Sequence, residues 1–154
     1  GETAQHIFET TGLFHNAPYT IGSDAMVYDV LEMFTAYKTD AVMVVDGDEV
    51  KGILSQRDYV RKMALLTRSS KATQCKDIMT TRSNLVTAAP EDSLQKCMRK
   101  MLARDIRHLP IIDEDGKLTG LLGIKDLIMA QMDQKDKMIE MMSKKALGSL
   151  SPDE

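Results

Sequence analysis

The sequence predicts an α/β (α+β) fold in which two tandem β-α-β-β-α repeats pack through their sheets into one module. Three observations carry that prediction. The chain repeats itself, because Val44-Val45-Asp46 returns 67 residues on as Ile111-Ile112-Asp113. Each copy has an apolar stripe at helical spacing: Val27, Val30, Leu31 and Phe34 in the first, and Leu94, Cys97, Met98 and Met101 in the second. A helix with one buried face has this pattern. Each copy also has apolar runs beside an Asp/Gly turn that are too short for buried helices and read as strands.

In the first repeat, a short strand at about Thr20 precedes a helix over about 24–37. Strands over about 41–46 and 50–54 follow, and a second helix runs from near Gln56 to about Leu66. The second repeat has a strand at about Val86-Thr87, a helix over about 91–104, strands over about 108–112 and 117–122, and a helix from near Ile124 to about Lys145. The turn Asp46-Gly47-Asp48 gains one residue in Asp113-Glu114-Asp115-Gly116, and beyond it the offset is 68, so Gly52 meets Gly120 and Asp58 meets Asp126. Hairpin turns accept such an insertion. A unit of this kind cannot cover its own sheet, so the two copies are expected to share a core. The division is an N-terminal extension over 1–16, repeats over 17–70 and 71–132, and a helical extension with a tail over 133–154, unstructured from Ser149. The connector Thr67–Thr81, with Arg68-Ser69-Ser70-Lys71, is polar enough to be expected on the surface.

Composition narrows the function. With 154 residues, 43% hydrophobic and 28% charged, the chain can bury one core. The net charge of −3, with basic residues scattered among acids, argues against a nucleic-acid partner. No run approaches a membrane span, and Gly1–Thr11 lacks the arginines of a transit peptide. A soluble intracellular protein, of cytoplasm or organelle matrix, is expected. Cys75 and Cys97 lack metal or disulfide spacing; Cys97 falls on a buried stripe, and Cys75 is expected to be exposed. Histidines dispersed at 6, 15 and 108, with no nucleophile elbow and no P-loop, leave nothing to catalyse a reaction, so neither an enzyme nor a metal site is expected.

The segment Gly52-Ile53-Leu54-Ser55-Gln56-Arg57-Asp58 carries the chemistry. A strand ending at Leu54 feeds straight into a helix, and Ser55 stands where the free N–H groups of the first turn point outward. A phosphate there gains from the helix dipole, the Ser55 hydroxyl and Arg57, while Asp58 can accept hydrogen bonds from two ribose hydroxyls. The same Ser and acid, three residues apart, also form a helix cap, and both roles can hold together. Adenine needs an apolar slot with backbone hydrogen-bonding groups, sought at Thr20-Ile21 and at Thr39-Asp40-Ala41. The second copy, Gly120-Leu121-Leu122-Gly123-Ile124-Lys125-Asp126, keeps Lys125 and Asp126 but has Gly123 in place of the hydroxyl. That cleft is expected to bind weakly, bind something else or stay empty, and the site of Ser55 and Asp58 ranks first.

These residues resemble the cystathionine β-synthase (CBS) domain. The Gly52 to Asp58 run matches its Gly-apolar-apolar-Ser/Thr-x-x-Asp pattern, Ile106-Arg107-His108-Leu109-Pro110-Ile111-Ile112-Asp113 matches its second strand, and Lys76-Asp77-Ile78-Met79-Thr80 is similar to the linker that opens a second CBS repeat. The resemblance covers about Ala17 to Met132. The runs Arg57-Asp58-Tyr59-Val60-Arg61-Lys62 and Arg68-Ser69-Ser70-Lys71 look like the stand-alone CBS pairs (Bateman modules) of bacteria and plant organelles. It implies a disc-like module with two clefts whose ligands are adenosine nucleotides (AMP, ADP or ATP), NAD(H) or S-adenosylmethionine. It also implies Arg107 and His108 as further phosphate contacts, a homodimer and a regulated protein partner. The function expected is ligand sensing in the inter-repeat cleft, with no cofactor required. The alternative is an oligomerisation or interaction module with vestigial sites, working through the last helix and its Met129, Met132, Met138, Met141 and Met142. For that helical extension a dimer contact, a docking helix and a frayed tail all stay open.

Overall fold

Thr3 starts the first element by accepting a hydrogen bond from the His6 amide, and α1 spans Ala4–Thr11 with Ala4, Ile7 and Phe8 buried. The structure, a computed structural model, describes residues 2–149. The N-terminal extension thus contains a helix, which docks on the second repeat: the Ala4 amide donates to the Asp92 carbonyl at 2.8 Å and the Leu94 amide to the Glu2 carbonyl at 3.2 Å.

β1 (Thr20–Ile21) lies parallel to β2 (Ala41–Asp46), with Thr20 opposite Met43. Between them runs α2 (Val27–Tyr37), closed by Lys38 at φ 55. β3 (Glu49–Ser55) returns antiparallel from the turn at Gly47, φ 61. The helix after β3 is shorter than expected. A turn of α-helix, α3 (Gln56–Asp58), becomes a π-helix over Tyr59–Met63, and the chain then leaves with Leu65 84% exposed, since nothing remains for it to cover.

The connector corrects an expectation. Its first half is exposed, but Thr73, Cys75 and Ile78 are buried, α4 (Cys75–Ile78) packs into the first core and β4 (Thr80–Thr81) pairs with β3. Polar composition concealed this because main-chain bonds hold the segment, the Val27 amide to the Thr73 carbonyl and the Cys75 amide to the Ala25 carbonyl, both at 2.8 Å. Cys75 is therefore buried, and burial pushes its thiol up to about 11, as it does that of Cys97.

A single turn of 3₁₀-helix over Arg82–Asn84 leads into the second repeat. In place of a strand at 86–87 there is one parallel bridge, Ala88 to Ile111, because Pro110, which stands where Met43 donates to the Tyr19 carbonyl in the first repeat, has no N–H to donate to the carbonyl of Val86. α5 (Leu94–Arg104) is capped by the Ser93 hydroxyl and closed by Asp105 at φ 50. β5 (His108–Ile112) and β6 (Leu118–Gly123) pair antiparallel, and α6 (Ile124–Ser149) follows without a break.

Strand β2 shows how the halves share their core. Val42 and Val44 join Val27, Val30 and Phe34 in one cluster, while Ala41 and Met43, on its other face, join Leu109, Ile111, Leu121 and Leu122 of the second repeat. α6 buries Leu127 and Ala130, but Met129, Met132, Met138, Met141 and Met142 are each more than half exposed. The tail expected beyond the helix lies outside the described residues from position 150, although the helix itself reaches Ser149. No helix among the described residues is long and apolar enough to cross a membrane.

Candidate functional site: a cleft between the repeats

The end of β3 forces Ser55 into an extended conformation just as α3 begins, and this turns its side chain onto the helix's free amides. The Ser55 hydroxyl accepts from the Asp58 amide at 3.2 Å, and Asp58 Oδ2 accepts from the Ser55 amide at 3.0 Å and from its hydroxyl at 3.1 Å. The capping role is thus present. Asp58 Oδ1 takes the Thr80 hydroxyl at 2.8 Å and stands 3.2 Å from Lys62 Nζ. With four partners its acceptor positions are full, so a ribose would have to replace one of them. Thr80 and the Lys62 ammonium are the exchangeable pair, since the two Ser55 bonds belong to the cap.

Asp58 opens onto a cleft of about 600 Å³ between the repeats. The first repeat supplies Ser55, Arg57, Asp58, Val60, Arg61 and Lys62; the second supplies Leu85, Val86, Ile106, Arg107, His108 and Pro110. The first group is polar and cationic, whereas the second offers an apolar slot. Local widening of the backbone at the π-helix accompanies three consecutive cleft residues, Val60, Arg61 and Lys62. Arg57 reaches across the boundary to the Asp105 carbonyl at 3.0 Å. His108 Nε2 lies 2.9 Å from Asp40 Oδ1, and this hydrogen bond holds the Asp40 carboxyl below its usual range.

Of the residues singled out from sequence, Ser55, Arg57, Asp58, Arg107 and His108 meet here. Thr20, Ile21, Thr39, Ala41, Lys125 and Asp126 do not line this cleft. The reason is the exchange between repeats: each cleft pairs the Gly-to-Asp segment of one copy with the strand entrance of the other. The slot beside Asp58 is therefore built by Leu85, Val86 and Ile106. Thr39 and Lys125 belong by position to the second cleft, where Asp126 points. Lys62, Thr80 and the apolar Leu85-Val86 went unrecognised as site residues, although the linker run ending in Thr80 marked the place.

The counterpart of Asp58 in the second repeat, Asp126, is buried. Asp126 Oδ2 accepts from the Gly123 amide at 2.8 Å and Oδ1 from the Leu13 amide at 2.9 Å. Burial raises its carboxyl above the usual range despite those two bonds. Phe14, fully buried, lies edge-on to His108 with ring centroids 6.2 Å apart. Among the described residues no group of acids, histidines and cysteines is placed to hold a metal ion.

Known proteins share this fold. The CBS-domain family model matches residues 13–65 and 75–133. The mitochondrial CBS domain-containing protein CBSX3 of Arabidopsis thaliana is 37% identical over 111 residues, which cover 70% of this chain and 53% of that protein. The chain thus spans about half the length of that relative. A CBS-domain protein from Burkholderia ambifaria superposes with a TM-score of 0.76 at 36% identity, covering 86% of this chain and 95% of its own. CBSX2, solved in complex with AMP, superposes with a TM-score of 0.71 at 23% identity, covering 88% of this chain and 99% of its own, which shows a shared fold. Two matched repeats and the inter-repeat cleft together place this chain in the CBS-domain family, as a tandem CBS pair.

Proposed function

We propose that the module is a non-catalytic regulator that binds one adenosine nucleotide per chain in the open cleft, with AMP or a longer phosphate chain preferred over S-adenosylmethionine. The observation that carries this reading is the charge of the cleft wall. Arg57, Arg61, Lys62 and Arg107 face a single Asp40 beside the Ser55–Asp58 cap. Such a rim attracts an anion and repels a sulfonium. The adenine enters the slot of Val86, Ile106 and Pro110, the ribose hydroxyls take Asp58 Oδ1 from Thr80 and Lys62, and the released Lys62 joins Arg61 and Arg107 on the phosphate. The complex of CBSX2 with AMP supports the choice of ligand.

Ligand bridging both repeats would favour one packing of the halves, and a protein partner that distinguishes packings would be regulated by that difference. We place the protein in the cytoplasm or an organelle matrix, in keeping with the mitochondrial relative. A second reading, an assembly module, is favoured by the exposed methionines of α6. In it α6 forms a homodimer or docks a partner, independently of ligand.

A thermal-shift panel of AMP, ADP, ATP, NADH and S-adenosylmethionine on the wild type and on Asp58→Ala tests the reading. Ligand at about 100 times its Kd adds about 2.7 kcal/mol, several degrees for this size. A phosphate-dependent shift that is lost in Asp58→Ala is expected. No shift with any nucleotide, together with a stable oligomer in sedimentation, would select the assembly reading.

A further inference from the structure

We infer that a second copy of this chain docks head to tail on the module, with helix α2 of each copy lying on helix α5 of the other. The contact needs no ligand in the cleft and uses a different face from the methionines of α6.

The two helices are equivalents in the duplication, yet their charges are opposite. Asp29 and Glu32 are the charged residues of α2, whereas Lys96, Arg99, Lys100 and Arg104 are those of α5. At the repeat offset of 67 the acids fall directly on bases, Asp29 on Lys96 and Glu32 on Arg99, and all four residues are exposed. Lys96 and Lys100 pair with Asp92, and Lys71 stacks on Tyr28 at the start of α2. Glu32 and Arg99 have no ion pair among the described residues. They stand in the middle of their helices and meet whether the paired helices run parallel or antiparallel.

One chain thus carries a surface and its complement. About a two-fold axis, if one residue meets another then the second also meets the first, so one Glu32–Arg99 contact brings its twin. The other two-fold arrangement sets Glu32 against Glu32 and Arg99 against Arg99, and like charges across an interface oppose it. Charge therefore selects both the partner and its direction. Apolar contact comes from Leu102, 72% exposed and one turn beyond Arg99. Its equivalent in α2 is Thr35, beside Ala36, and these small exposed side chains leave room for a leucine.

Sedimentation velocity tests the inference by charge reversal. The wild type should be a dimer at tens of micromolar. Glu32→Arg and Arg99→Glu should each weaken it at least tenfold, because each sets like charges at both contacts. Combined, Glu32→Arg/Arg99→Glu should return the dimer to within about threefold of wild type. A monomeric wild type, single variants that dimerise as the wild type does, or a double variant that fails to recover would overturn the inference. If a reversed helix does not fold, cysteines replace the charges: on mild oxidation a mixture of Glu32→Cys and Arg99→Cys chains should crosslink, and neither variant alone should, since Cys75 and Cys97 are buried. No crosslink in the mixture, or crosslinking of either variant with itself, would refute the head-to-tail contact.

Discussion

At the open cleft Asp58 is bonded to a hydroxyl, paired with an ammonium and set among arginines from both repeats, whereas its counterpart Asp126 is buried and held by two backbone amides, with Phe14 beside Gly123. The backbones that present these acids are duplicates, with the same capping bond and the same left-handed residue, Lys38 or Asp105, before the following strand. The fold was therefore copied and the chemistry was not. A few replacements suffice, because each cleft draws half of its wall from the other repeat, and one change there alters the charge without disturbing the cap.

The comparison breaks most visibly at the glycines that open each segment. A Cβ on Gly52 would stand 2.2 Å from the Thr80 carbonyl oxygen, a main-chain atom that cannot yield without parting β3 from β4. On Gly120 it would meet the Phe8 ring at 2.8 Å, a side chain that can move. Chemical denaturation should show Gly52→Ala losing about 3 kcal/mol and Gly120→Ala about 1–2 kcal/mol, in the range of overpacking costs.

Next come the two acids. Asp58→Ala removes two charge-assisted hydrogen bonds to ribose, and AMP binding should weaken about 100-fold. Asp126→Ala leaves the Gly123 and Leu13 amides without their acceptor and should cost about 2 kcal/mol of stability while changing AMP affinity less than about twofold.

The starts of the two repeat helices differ as well. Asp92 accepts from the Ala89 amide and from Lys100, each at 2.9 Å, and stands 3.2 Å from Lys96, whereas Ala25 holds its place in the first repeat. Burial acts to raise the Asp92 carboxyl, but the bonds from Lys100, the Ala89 amide and Lys96 outweigh it and hold the carboxyl below its ordinary value. A depressed carboxyl contributes stability above its unfolded value, near pH 4, and loses it as pH falls through the lowered one. Asp92→Asn should therefore cost about 1–2 kcal/mol at pH 7 in urea titrations, and the difference from wild type should close below about pH 4.

The smallest effect is expected from Gly123→Ser, which restores the missing hydroxyl. Its Cβ would find Phe14 at 3.6 Å and Asp126 at 3.7 Å, ordinary contacts, so stability should change by about 0.5 kcal/mol or less.

The duplication, the hairpins and the helix stripes were legible because each is a local pattern with its own period, and Val44-Val45-Asp46 is echoed closely enough to align the copies. Ser55 and Asp58 were legible for the same reason: strand, cap and acid are contiguous. The partners across the boundary were not, since periodicity assigns a face to Val86 or Ile106 but does not say which copy that face meets. Phe14 gave no signal, being one apolar residue among Gly12, Asn16 and Pro18, and Thr73 to Ile78 looked like surface because main-chain bonds, invisible to composition, tie them down.

Stoichiometry puts the asymmetry of the clefts to the most direct test. Calorimetric titration of AMP into the wild type should give one site per chain, weakened about 100-fold by Asp58→Ala and changed less than about twofold by Asp126→Ala. Two sites per chain, or one site lost with Asp126 and kept without Asp58, would contradict the assignment of the open cleft.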